Sequence, residues 1–202
     1  MTLEINKGDA NLEPDSSESG WFLSDEWRSD NGALISVTFD TTTWHSSFIS
    51  DLKTRGPLMM DHIATRLSLN PQIISLFLCD DKHMREMNFV HRGFDKPANV
   101  LSFPAPDNLQ WAADQPTDEF TIGDIAIAGE TVVREASEAG IVVVDHLLHL
   151  FTHGVLHLLG FNHNDDSTAA QMEGLEIDLL SRMKIANPYR IDTVDMDNWG
   201  IG

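Results

Sequence analysis

His153-Gly154-Val155-Leu156-His157-Leu158-Leu159-Gly160-Phe161-Asn162-His163 is the stretch on which the reading of this chain turns. Two histidines four residues apart on a helix share one face, because four residues turn the helix through roughly 400°. Two imidazoles so placed reach one metal ion. Gly160 adopts the left-handed conformation that ends a helix at little steric cost, so the chain reverses there. His163, just beyond the turn, then folds back as a third nitrogen ligand. Three neutral imidazoles leave a tetrahedral ion one open position, the pattern of catalytic rather than structural zinc. The stretch predicts a metal-dependent hydrolase.

The helix continues upstream of this motif. His146 and His149 extend the stripe at spacings of three and four, and they read as packing or supporting residues, since one site needs only three ligands. Around the histidines stand Leu147, Leu148, Leu150, Phe151, Val155, Leu156 and Leu158. A helix that is apolar on nearly every side is buried. It therefore forms the centre of the fold, with the other elements packed around it.

The chain has 202 residues, long enough for one domain with ends to spare. Cys79 is the only cysteine, so no disulfide can form within the chain, and it sits in an apolar strand pattern as a buried thiol. Its longest apolar runs are too short to span a bilayer, and the first residues lack the basic and apolar pattern of a secretory signal. These features predict a soluble, cytoplasmic protein with no membrane partner. Net charge is −19, from 13 basic and 32 acidic residues, which argues against broad affinity for nucleic acid. The charge is uneven. Residues 1–33 carry eight acids against Lys7 and Arg28, a local charge of −6, whereas residues 82–96 set Lys82, Arg85, Arg92 and Lys96 against Glu86 and Asp95, a local +2. An anionic substrate should meet the protein near that second segment.

Periodicity lays out the elements. Residues 1–33 read as an acidic, flexible extension, although Trp21, Phe22 and Trp27 suggest weak docking on the domain. Strands are predicted at Ala33–Asp40, Gln72–Cys79, Asn99–Phe103 and Ile122–Ala128, the third near an edge because Pro104 and Pro106 stop it. Helices are predicted from about His45 to Leu69, interrupted or restarted at Gly56-Pro57, from a cap at Asp80 to about His91, and over Glu130–Ala139. Two more follow, Asp145–Leu159 and Thr168–Met183, the last burying Met172, Leu175, Ile177 or Glu176, Leu179 and Leu180. Residues 105–121 read as a polar loop. Four strands and about five helices in this order make an α+β domain over residues 34–190, with a small sheet backing the metal helix and a short acidic tail over 191–202.

The ligand spacing matches the zinc-protease signature H-E-x-x-H-x-x-G-x-x-H at every histidine. In those proteases the glutamate is the general base, and here its position is Gly154. Glycine takes no proton and weakens a helix interior by roughly 1 kcal/mol relative to alanine, so its presence implies close approach by a substrate or a neighbouring strand. Three blocks together resemble another family, the YbeY-type endoribonucleases of bacterial ribosomal RNA maturation. They are His153 to His163, His91-Arg-Gly-Phe-Asp-Lys-Pro-Ala-Asn-Val-Leu-Ser-Phe-Pro104, and Gly123-Asp-Ile-Ala-Ile127. The chain departs from the family pattern at Asn162, usually Asp, and Ala98, usually Thr.

The resemblance implies a metzincin-like fold, one zinc ion or another divalent metal on His153, His157 and His163, and Arg92 as the functional arginine. It also implies cleavage of single-stranded RNA in small-subunit ribosomal RNA end processing and ribosome quality control, with ribosomal RNA, the small subunit and ribosome-associated proteins as partners. Lys96 and Asn99, in the second block, are further RNA-binding candidates. Losing a carboxylate at Asn162 is expected to weaken metal affinity modestly. On chemistry alone Arg92 suits bidentate phosphate binding, with an ordinary surface arginine as the alternative. No general base stands out. Asp124 and Glu130 are candidates only by proximity to the fourth strand, with turn or cap roles as alternatives, and the nucleophile is water or a ribose hydroxyl. Two rival functions remain open: a metallopeptidase with another base, and a non-catalytic ribosome-assembly factor holding a structural metal.

Overall fold

In the computed structural model, residues 22–106 and 120–189 are described. Their elements run β1 (Phe22–Arg28), β2 (Leu34–Asp40), α1 (Ser46–Leu67), β3 (Gln72–Cys79), α2 (Asp81–Arg92), β4 (Val100–Pro104) and β5 (Phe120–Ala128). Three helices follow: α3 (Gly129–Ala139), α4 (Val143–Leu158) and α5 (Asp166–Arg182). The strands form one mixed sheet in the order β1-β2-β3-β5-β4. The central pairs β2–β3 and β3–β5 are parallel, and both edge strands run antiparallel to their neighbours.

Strand alternation sends Ile35, Val37, Ile74, Leu76, Leu78, Ile125 and Ile127 to one face, where all are buried in the main core with α1 and α4. The other face carries a smaller cluster of Cys79, Leu101, Ala126 and Ala128, covered by Met84 of α2. Burial pushes the Cys79 thiol up to about 12, so it stays protonated and inert. At the centre lies α4, which touches α1, α3, α5, β4 and β5. Strand β4 is an edge strand, as the prolines require.

Two expectations change. The sheet has five strands rather than four, and the added one comes from the acidic stretch at 1–33. Trp27 explains it: the indole is 2% exposed, packs in the main core, and donates from Nε1 to Asp25 Oδ2 at 2.9 Å. Lys53 of α1 pairs with the same carboxylate, and Ser24 and Thr38 hydrogen-bond across the opposite face. The acids Asp25 and Glu26 thus belong to an edge strand whose charges are paired or solvated. Trp21 and residues 1–20 lie outside the described residues, as do the tail at 191–202 and most of the 105–121 loop.

The second change is at Gly56-Pro57, which does not break the helix: α1 is continuous over 22 residues with Pro57 inside it. Both residues are buried. A Cβ at Gly56 would lie 3.6 Å from Ile35 Cδ1, so this part of the helix lies directly on the sheet. Packing on Leu52, Met59, Met60 and Ile63 carries the helix past the hydrogen bond that proline removes.

Truncating a large buried aromatic costs about 3–5 kcal/mol. Trp27→Ala is therefore expected to lower unfolding stability by an amount in that range, read by denaturant titration. A loss below about 1 kcal/mol would show that β1 is peripheral to the fold.

Candidate metal centre

The buried sides of α4 leave one face uncovered. Val144, Leu147, Leu148, Leu150, Phe151, Val155, Leu156 and Leu158 are all buried, while His146, His149, His153 and His157 line the remaining face. Gly154 makes this arrangement possible. A Cβ there would stand 3.1 Å from Ile125 Cδ1 and 3.2 Å from Ser102 Oγ, and Ser102 donates to the Gly154 carbonyl at 3.2 Å. Strands β4 and β5 thus press directly onto the helix beside the first histidine. The neighbour that needs the glycine is a strand of the sheet.

The helix ends as the glycine predicts. Gly160 has φ +87°, its N–H bonds to the His157 carbonyl at 3.0 Å, and the Phe161 N–H bonds to the Leu156 carbonyl at 3.0 Å. This pair of bonds is a Schellman turn. It returns the chain so that His163 comes back to the helix, its ring centroid 5.5 Å from that of His153 and 5.0 Å from that of His157. One nitrogen from each of the three rings lies within 4.8 Å of the others.

Hydrogen bonds fix how two of these rings are protonated. His153 Nδ1 faces Glu176 Oε1 at 2.9 Å, and His157 Nδ1 faces the Phe161 carbonyl at 3.0 Å. An ionised carboxylate and a carbonyl only accept, so both Nδ1 atoms carry the proton. The two Nε2 atoms then present lone pairs to each other at 2.9 Å. Two facing lone pairs repel unless a cation lies between them or one ring becomes an imidazolium. Burial, and then the neighbouring His153, lower the His157 pKa, which disfavours an imidazolium at His157. The donor set therefore fits a metal ion: three convergent imidazole nitrogens, with His153 and His157 held from behind.

The holding group is Glu176 of α5. Its side chain is fully buried, yet it stays ionised. Burial alone would push its pKa up, but hydrogen bonds from His149, His153 and the Tyr189 hydroxyl outweigh that and bring it down to about 2. His149 Nε2 donates to Oε2 at 2.9 Å, so two histidines of the stripe share one carboxylate. The same contact with Glu176 pushes the Tyr189 hydroxyl upward, behind the larger effect of burial, so it remains a donor. His146 sits at the far end of the row, its Nε2 2.8 Å from Glu135 Oε2.

The family model described as Endoribonuclease YbeY matches residues 43–184. The chain belongs to the YbeY endoribonuclease family. A protein named Endoribonuclease YbeY from Dinoroseobacter shibae is 38% identical over 172 residues, 80% of this chain and 93% of that protein. One from Bartonella quintana is 40% identical across 77% of this chain and 96% of its own length. The Rhodospirillum rubrum protein is 49% identical over 123 residues, and that match spans 59% of each chain.

The other residues singled out in the sequence fall in different places. Arg92 is the exposed last residue of α2, and its side chain has no hydrogen bond or ion pair among the described residues, the triad included. Lys96 is exposed in the following loop, and its carbonyl accepts from the buried Asn88 at 2.7 Å. Asn99 is half-buried and committed within the fold: Nδ2 donates to Glu135 Oε2 at 3.1 Å and Oδ1 accepts from Val100 N at 2.8 Å. Asn162 shapes the loop before α5 by accepting from Asn164 N at 3.2 Å, and the carboxylate behind the histidines is Glu176 instead. Asp124 is exposed on the sheet face opposite Ile125, and so opposite α4. Glu130 accepts from Asp81 N at 2.9 Å, tying α3 to α2. Neither carboxylate stands at the triad. Glu176 escaped sequence reading because it occupies a position in the buried stripe of α5 that reads as apolar. Its signal was the choice between Glu176 and Ile177 for that stripe.

Replacing a carboxylate that orients a metal-ligating histidine typically weakens metal affinity by 10- to 100-fold. Glu176→Gln should show that loss in a chelator competition titration, with unchanged affinity counting against the role. The depressed pKa carries a second expectation. A carboxylate lowered in the fold from its ordinary 4.5 to about 2 adds stability that is fully present above about pH 5 and is lost as pH falls toward 2. The metal-free Glu176→Gln protein should therefore show a flatter loss of stability over that window than the metal-free parent.

Proposed function

We propose that this protein is a metal-dependent endoribonuclease that cleaves single-stranded RNA and acts in ribosomal RNA maturation, at the ends of small-subunit RNA and in ribosome quality control. The observation that carries the reading is the set of three converging imidazole nitrogens, found in a chain that belongs to the YbeY family. In this reading His153, His157 and His163 hold one zinc ion, and the fold around α4 is metzincin-like. A divalent ion on three neutral imidazoles supplies Lewis acidity toward phosphodiester oxygens.

The chain's own groups then divide the work. Glu176 and the Phe161 carbonyl keep the protons of His153 and His157 on Nδ1, so both Nε2 atoms face inward. Tyr189 and His149 keep Glu176 ionised in a site that would otherwise neutralise it. Arg92, always charged and planar, suits two-point binding of an RNA phosphate as the substrate is held. The ribosomal RNA, the small subunit and associated proteins are the proposed partners, and the cytoplasm the proposed location. No single helix among the described residues is long and apolar enough to cross a membrane.

A peptidase reading meets an obstacle at Gly154. At the position where a zinc protease keeps its glutamate, a Cβ would stand 3.1 Å from Ile125 and 3.2 Å from Ser102, closer than ordinary van der Waals contact, which leaves no room for a base. Support for the nuclease reading is therefore chemical as well as familial.

His157→Ala should abolish bound metal and cleavage of a single-stranded RNA together, with metal analysis and product gels as readouts. Arg92→Lys keeps the charge but loses the planar fork, and should lower kcat/KM on RNA by about tenfold or more while metal content stays the same. Cleavage by the unaltered protein of unstructured polypeptide and not of RNA would overturn the proposal.

A further inference from the structure

Helix α2 sorts its residues by face. Met84 and Asn88 are buried and Met87 is partly buried, toward the sheet cluster of Cys79, Leu101 and Ala126. At the complementary spacing of three and four, Lys82, Arg85, Phe89 and Arg92 lie along the outward face. Phe89 is 58% exposed and Phe94, one residue past the helix cap, is also 58% exposed. Two large aromatic rings left in water beside one another's segment are not what solubility or stability selects. They call for a ligand.

Charge identifies its kind. This segment is locally +2 in a chain of −19. Arg85 is paired to Asp95 by two bonds, at 2.6 and 2.8 Å, which hold the loop after the helix against α2 beside Phe89. Lys82, Arg85, Glu86, Phe89 and Asp95 line a cavity of about 300 Å³ there. The side chains of Arg92 and Lys96 have no carboxylate partner among the described residues. Unpaired cations in the same segment as exposed aromatic rings match single-stranded nucleic acid, whose phosphates need charge and whose unpaired bases stack. A duplex hides its base faces and would gain nothing from the rings.

The surface also leads toward the triad. The His91 ring packs on Phe103 with centroids 4.8 Å apart, and Phe103 is in β4, next to the Ser102 that bonds to Gly154. Strand β4 thus joins the aromatic surface to the helix that carries the histidines.

We infer that Phe89 and Phe94, with Arg92 and Lys96 between and beyond them, form a stacking platform that holds single-stranded RNA on its way to the histidine cluster. The inference rests on the endoribonuclease reading and extends it by naming where the substrate is held away from the reacting atoms. Base stacking on the rings supplies affinity that does not depend on salt. Arg92 and Lys96 supply the part that does.

The test is fluorescence anisotropy on the full chain with its metal, using a short, labelled, 2′-O-methyl phosphorothioate oligouridylate that resists cleavage. The double variant Phe89→Ser/Phe94→Ser should bind at least about tenfold more weakly at every salt concentration, since each stack lost weakens binding by roughly 5- to 150-fold. Its salt dependence should match the parent's. Lys96→Ala should instead reduce the slope of log affinity against log salt by about 0.7, the value for one phosphate contact on a single strand. A duplex competitor should displace the probe poorly. Thermal unfolding and metal content report that the fold persists, and Phe94→Ser alone, in the loop beyond the helix, serves should the double variant unfold. Unchanged affinity in the phenylalanine variants, or equal competition by duplex, overturns the platform and marks the surface as one for a protein partner. Cleavage of RNA by the unaltered protein is scored separately: cleavage without platform-dependent binding removes only this inference, and platform-dependent binding without cleavage removes only the nuclease reading.

Discussion

The contact of β4 and β5 with Gly154 is the constraint on which the molecule is organised. Each large apolar side chain that α4 buries contributes about 1.5–3 kcal/mol, and the helix is apolar on three sides. It must be enclosed by the sheet and by α1, α3 and α5. The closest approach falls beside His153, where a Cβ would already be at 3.1 Å from Ile125. A glycine in mid-helix costs about 1 kcal/mol of helix propensity relative to alanine. In exchange the sheet fixes the rotation of the helix about its axis. With that rotation fixed, only one face stays open, and every histidine of α4 is on it.

The same enclosure explains the electrostatics of the site. A buried carboxylate is normally a liability, because desolvation drives it toward the neutral form. Glu176 is tolerated because three donors, two from α4 and one from the segment after α5, converge on it. Removing one donor would leave the others to carry an under-compensated charge. The site is thus a network in which the position of α5 relative to α4, the direction of the His153 ring and the ionisation of Glu176 support one another. The net charge of −19 says little about such a place, since local partners decide it. The same holds on α2, where cations gather on a chain that is acidic overall.

Legibility followed the range of the interactions involved. The triad and its turn could be read because helix spacing and the glycine reversal are local, and the Schellman bonds at Gly160 are what the residues there dictate. The cap at Asp80 was local for the same reason, its side chain accepting from His83 N. Strand β1 was obscured because its acids resemble a solvated tail, and only pairing with β2 gives Trp27 a core to enter. Pro57 misled in the opposite direction: a local rule against proline in helices gave way to packing from both sides. Glu176 could not be assigned a role because its partners, His149 and His153, are 27 and 23 residues away. Burial of a charge becomes intelligible only when the donors around it are known.

The division of the sheet's two faces carries the functional argument furthest. One face holds α4 and the histidines within the main core, and the other holds α2 with its exposed rings and cations. Asp124, on the second face, is thereby removed from the chemistry that its sequence position suggested. An extended polymer suits such a layout, because β4 lies at the edge of the sheet and its neighbouring residues Ser102 and Phe103 touch α4 and α2 respectively. On the proposed platform, substrate held on α2 would reach α4 past β4, the edge strand of the sheet among the described residues. A chain of nucleotides can bridge that distance while keeping contact at both ends. Affinity and chemistry then reside on separate elements, so affinity for RNA need not be built from the few groups that surround the histidines.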